Sequence, residues 1–169
     1  MNTLFETGIE SSAVFDLTGT YRFLLTRVWD PDRPRVCWVM LNPSHADAYH
    51  NDKTVKQIIS YAKAWNFGGL EVVNLFAFIS TDPSKLREEG DPVGSGNDRY
   101  IREAVGRASM IVCAWGAGGT LRGRDKEVIA ILQEFGELRC IGRTKDGHPW
   151  HPSRKSLELR AIPFAPGIM

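Results

Sequence analysis

Cys37 to Leu41 is apolar without alternation, and three later stretches repeat its layout, Leu70 to Phe76, Met110 to Trp115 and Leu138 to Ile141, with Glu71, Asn74 and Arg139 as their polar positions. Unbroken runs of this length fit strands covered on both faces, as in a parallel sheet with helices packed on either side. The segments between them carry a different period. After Asp52 or Thr54, either of which can cap a helix, Val55, Ile58, Ile59, Ala62 and Trp65 recur at helical spacing until Phe67-Gly68-Gly69 ends the pattern. A second helix is expected from Asn97, as its cap, to about Arg107, and a third around Asp125 to Phe135. Strand, helix and strand in succession predict an α/β fold: a central, mostly parallel sheet between two helical layers.

The remaining segments are read more locally. Tyr21 to Trp29 is aromatic and β-branched, and Asp30-Pro31-Asp32-Arg33-Pro34 supplies turn residues before Arg35. An antiparallel pair at the sheet's edge is expected from these two strands. Residues 1–20 have no clear period and are expected to form a loosely attached or edge segment leading into a hairpin. Thr81 to Gly96 is a Pro- and Gly-rich passage with one helical turn at Ser84 to Glu88, and loops of this length are often functional. Leu157 to Ile162 is expected to be a last edge strand, ending at Pro163.

A chain of 169 residues, 43% hydrophobic and 24% charged, is expected to be one α/β domain with a real core. Its net charge of +1 gives no whole-molecule field directed at nucleic acid or membrane. The charge is uneven, because Arg143, Lys145, Arg154 and Lys155 cluster with His148 and His151 against Asp146 alone. That excess fits either a solvated loop or a grip on an anion. The three cysteines lie inside apolar runs with no C-x-x-C pair, as expected of core thiols in a reducing cytoplasm. No signal peptide or apolar run of about 18 residues is seen, so no membrane association is expected. Gly116-Ala117-Gly118-Gly119 matches neither a P-loop nor a dinucleotide fingerprint, and His148 and His151 lack partners at zinc spacing, so no cofactor or metal is expected.

In open α/β sheets ligands sit beyond the carboxyl ends of the strands, which directs attention to residues 42–52 and to the ends of the other runs. Asn42, held out of the helical region by Pro43, either caps its turn or faces a ligand. Ser44 lacks the G-x-S-x-G frame of a nucleophile elbow. Asp47 and Asp52 are candidate bases or ligands, with helix capping the simpler role for Asp52. Asn74 closes an apolar strand, where a buried amide must be hydrogen-bonded and has the donors and acceptor needed to read a nucleobase edge. Gly147-His148-Pro149-Trp150-His151-Pro152-Ser153-Arg154 is the densest polar constellation.

The string Leu41-Asn42-Pro43-Ser44-x-Ala46-Asp47, with Asp52-x-Thr54, Asn74-Leu75-Phe76, Gly96-Asn97-Asp98, Ala114-Trp115-Gly116, Gly142-x-Thr144 and His148-Pro149-x-His151-Pro152, resembles a bacterial and phage family known as domain of unknown function 1643. The resemblance runs from about Tyr21 to Pro152. In motif order the chain is also similar, more distantly, to the uracil-DNA glycosylase superfamily. That resemblance implies a three-layer α/β/α sandwich. Asn42-Pro43 would take the water-positioning motif, Asn74 the base-reading position, Ala114-Trp115-Gly116 the third strand, and His151-Pro152-Ser153 the terminal loop. Two departures stand out: Leu41 occupies the place of the usual glycine, and the loop after Asn74 lacks a Lys/Arg-Pro pattern.

Those resemblances set the functional expectation, an N-glycosylase acting on a modified or damaged base, with a non-catalytic binder of nucleic acid or nucleotide as the alternative. Asn42, Asp47 and His151 are the expected catalytic groups. Pro43, Ser44, Asn74, Phe76, Trp115 and Gly116 are expected around the base. Arg143, Thr144, Lys145, His148, Ser153 and Arg154 are expected at phosphates.

Overall fold

The computed structural model describes residues 2–5 and 9–166. Its strands are β1 (Asn2–Phe5), β2 (Ile9–Phe15), β3 (Arg22–Val28), β4 (Arg35–Met40), β5 (Gly69–Asn74), β6 (Met110–Cys113), β7 (Leu138–Cys140) and β8 (Ile162–Pro163); its helices are α1 (Lys53–Ala64), α2 (Asn97–Arg107) and α3 (Arg124–Gln133). All the strands join one mixed sheet in the order β1-β2-β3-β5-β4-β6-β7-β8. The four strands β5, β4, β6 and β7 are mutually parallel, and the flanking pairings are antiparallel. The parallel part is therefore the centre rather than most of the sheet.

Double coverage accounts for the unbroken apolar runs. Along β4, Val36, Trp38 and Met40 join a cluster with Val55, Ile58, Ile59 and Ala62 of α1. Cys37 and Val39, on the opposite face, join one with Ile101 and Val105 of α2 and Val128 and Leu132 of α3. Trp38, Tyr61 and Trp65 stack with ring centroids 5.5–5.8 Å apart, an arrangement that adds to the burial of each ring. Asp52 caps α1, its Oδ1 accepting the Val55 N–H at 2.9 Å.

Several expectations are corrected. β3 and β4 do not pair with each other, because β5 lies between them and binds both. The connection at residues 29–34 passes instead over the start of β5: Trp29 N–H and Asp30 N–H donate to Gly68 O, and Gly68 N–H donates to Pro34 O, each at 2.9 Å. A Cβ on Gly68 would lie 1.9 Å from Asp30 O, so only glycine permits this crossing. Asn97 is the first residue of α2 rather than its cap, which is Gly96 at φ 89°. The last strand is confined to Ile162–Pro163. In the N-terminal segment, β2 pairs with β3 over Glu10 to Phe15 as a hairpin arm; residues 1 and 6–8 lie outside the described residues. No helix among the described residues is long and apolar enough to cross a membrane.

Candidate functional site

The parallel strands β4, β5 and β6 end together, at Met40, Asn74 and Cys113. β3 runs the other way beside β5, so its first residue, Arg22, reaches that same edge, where its N–H donates to Ala77 O at 3.0 Å. A cavity of about 440 Å³ opens there, with Arg22, Asn42, Asn74, Trp115 and His151 in its wall, a size within the range of small-molecule sites. Pro43, Ser44 and Ser153 also line it, as does the capping residue Asp52.

Asn42 is fixed by its own amide. Its Nδ2 donates to Pro43 O at 3.1 Å and Ser80 O at 2.9 Å, which uses both hydrogens and leaves Oδ1 as an oriented acceptor. Asn74 is 2% exposed, and its Nδ2 is buried without a hydrogen-bond partner. The backbone around it is held tightly: Asn97 Nδ2 donates to Asn74 O at 3.0 Å and Leu75 O at 3.2 Å, and Arg124 Nε donates to Leu75 O at 2.8 Å. Arg124 is itself tied to Asp98 at 2.5 Å. Asn97 and Asp98 of the Gly96-Asn97-Asp98 motif thus support the strand end that carries Asn74.

His151 comes from the loop after β7. Its Nδ1 accepts the Ser153 N–H at 3.0 Å, so the neutral ring carries its proton on Nε2. Burial pushes its pKa below the usual histidine value; Asp52 opposes that shift and Lys155 adds to it. The loop is fastened to α1, where Gln57 Nε2 donates to Pro152 O at 2.5 Å, Tyr61 Oη to Ser156 O at 2.6 Å and Trp65 Nε1 to Leu159 O at 3.1 Å. Residues 57, 61 and 65 are spaced four apart, which puts them on one helical face.

Other expected site residues lie elsewhere. Asp47 is outside the cavity: its Oδ1 accepts from Tyr49 N–H and His50 N–H at 2.8 Å and pairs with His50 Nδ1 at 3.0 Å, folding its own loop. Burial raises the Asp47 pKa, but these hydrogen bonds outweigh it and hold the carboxyl below its usual value. Phe76 is fully buried in the core of α2 and α3 and is not free to stack on a ligand. Gly116 sits behind His151, its N–H donating to Pro149 O at 2.8 Å. Thr144 closes a small hairpin, donating to His148 O at 2.8 Å and accepting the His148 N–H on Oγ1 at 3.1 Å. His148 lines a separate cavity of about 450 Å³ with Asp125 and Lys126. Arg143, Lys145 and Arg154 are exposed beyond the cavity wall, and Lys155 lies 4.4 Å over the Trp150 ring.

Among known proteins, the sequence profile of a family described as "Protein of unknown function (DUF1643)" matches residues 22–153. The chain belongs to that family. No curated protein and no solved structure matches it. The family span opens at Arg22 and closes at Ser153, both in the cavity wall.

Asp52, from sequence a candidate base or ligand as well as a helix cap, is both the cap of α1 and part of the cavity wall. Arg22 was missed as a site group. Arg22 stood inside the apolar stretch Tyr21-Arg22-Phe23-Leu24-Leu25, where a charge within a strand pattern was the available signal. Arg22 is 3% exposed, its Nη1 donates to Ala46 O at 2.9 Å, and its buried Nε has no partner. Among the described residues no carboxylate forms an ion pair with it. Burial pushes its pKa down to about 10, with Asp52 opposing and Arg27 reinforcing the shift. It remains charged at neutral pH, at a cost of about 3 kcal/mol relative to a solvated guanidinium.

Proposed function

We propose that the cavity recognises a nucleobase and that the protein is an N-glycosylase of uracil-DNA-glycosylase-like architecture, a three-layer sandwich, acting on a modified or damaged base. The observation that carries this reading is the convergence of Asn42, Asn74 and His151 on one cavity of about 440 Å³, large enough to admit a nucleobase. In the reaction the bond between C1′ and the base nitrogen breaks, and the base leaves with the bonding electrons. Water adds to C1′, and the proton it releases is taken up through solvent by the departed base anion, so the products are the free sugar hydroxyl and the neutral base. Asn42 Oδ1 accepts a hydrogen bond from that water and so orients it; as an amide it does not take the proton. His151 Nε2–H donates to a base oxygen as negative charge develops there. Asn74 reads the base edge, while Trp115 offers an apolar wall in place of Phe76. A duplex substrate would present its base flipped out of the stack.

The test is incubation with oligonucleotides carrying uracil, hypoxanthine or modified pyrimidines, followed by alkali to reveal abasic sites. Strand breaks that vanish in His151→Ala, with binding nearly unchanged, are the expected result. Binding without breaks across the panel would favour the second reading, a non-catalytic nucleic-acid or nucleotide binder. One observation favours that alternative: Asp47 lies outside the cavity and Asp52 is engaged as a helix cap, so Asn42 has no uncommitted carboxylate beside it.

A further inference from the structure

We propose that the occupant of this cavity carries a negatively charged oxygen, bound by Arg22 Nε and the Asn74 amide. This inference rests on the reading of the cavity as a nucleobase site and adds a charge to its ligand. Two buried donors, Arg22 Nε and Asn74 Nδ2, belong to residues that line one cavity, and neither has a partner. An unmade hydrogen bond to a buried charged group is costly, and such groups are normally satisfied. The Arg22 charge is also uncompensated by any ion pair among the described residues. Its Nη1 donates to Ala46 O, which anchors the guanidinium, while its buried Nε–H has no partner. His151, uncharged with a proton on Nε2, adds a further donor to the same wall. The carbonyl oxygen of a neutral base could accept from these donors but would leave the guanidinium charge uncompensated; an anionic oxygen meets the hydrogen bonds and the charge. That oxygen can belong to a carboxylate on the base or to the phosphate of a nucleotide, which the ligands below distinguish.

Titration calorimetry at pH 7.5 and constant ionic strength would compare uracil with orotate, uridine with uridine 5′-monophosphate, and inorganic phosphate alone. The anionic member of at least one pair should bind about tenfold or more tightly than its neutral partner, the gain typical of a hydrogen bond to a charged group. In Arg22→Gln, which removes the charge and keeps an amide donor near the position of Nε, that gap should fall to about threefold or less. Arg22→Lys, with the charge but no Nε, should retain part of it and serves equally if the glutamine variant melts too low. Equal binding within both pairs, or a gap that survives both substitutions, overturns the charged-ligand proposal and leaves the nucleobase reading intact. Arg22-dependent binding of phosphate with no binding of any base or nucleoside supports the anion site and removes the nucleobase reading. Absence of binding by every ligand at millimolar concentration rejects both.

Discussion

At the residue scale, the site depends on side chains whose partners are chosen to leave one atom free. Asn42 spends its two hydrogens on carbonyls and keeps its oxygen; His151 accepts on Nδ1 and keeps its Nε2 proton. The second arrangement gives a signed pH dependence. The folded-state pKa of His151 lies below its unfolded value, so its neutral form costs nothing above the ordinary value of 6.5. As pH falls below 6.5 the unfolded chain binds the proton more readily, and stability is lost down through the folded pKa. His151→Gln should flatten that part of the melting-temperature profile between about pH 7 and 5. Asn97 makes a different contribution. It is 1% exposed and supports the Asn74 and Leu75 carbonyls, so Asn97→Ala should cost about 1–3 kcal/mol in urea unfolding. The accompanying loss of ligand affinity should exceed that seen for an equally destabilising core substitution away from Asn74.

At the element scale, much was legible. The doubly covered strands, α1 with its Asp52 cap, and the helical turn near Ser84 follow from local patterns, because apolar period and capping chemistry act over a few residues. Strand order did not follow from them. Asp30-Pro31-Asp32-Arg33-Pro34 has turn composition, but its geometry is set by the distant Gly68, whose carbonyl and N–H receive the crossing chain. A glycine next to another glycine at a helix exit looks like a terminator, and its second role appears only in three dimensions. Gly68→Ala should therefore cost about 3 kcal/mol or more, at the upper end for overpacking, since backbone rather than a flexible side chain stands in the way. Equilibrium denaturation checks this, and an unchanged midpoint would show that the crossing can relax. Arg22 was illegible for a related reason: an arginine early in a strand looks like an edge charge until antiparallel pairing of β3 with β5 brings it to the cavity that Asn74 also lines.

At the scale of the whole molecule, net charge is small, and one cluster of exposed cations follows β7, where Arg143, Lys145 and Arg154 lie outside the cavity wall. If a nucleic-acid backbone runs along this loop, replacing Lys145 or Arg154 by alanine should weaken binding to all sequences alike. The slope of log affinity against log salt should fall by roughly one for each phosphate no longer neutralised. A slope unchanged in both variants would remove the loop from the interface and leave a free nucleotide or base as the ligand.

The reversed direction of β3 has a consequence for how such a pocket diversifies. The cation enters on a hairpin, the amides on the strand-helix-strand unit of β4, α1 and β5, and the imidazole on a loop near the other end of the chain. These are separate inheritances. Exchanging the residue at position 22 would alter the charge presented to a ligand, but it would also cut the tie from Nη1 to Ala46 O, so a neutral replacement has to re-form that anchor of the 42–52 loop if the pocket is to keep its shape.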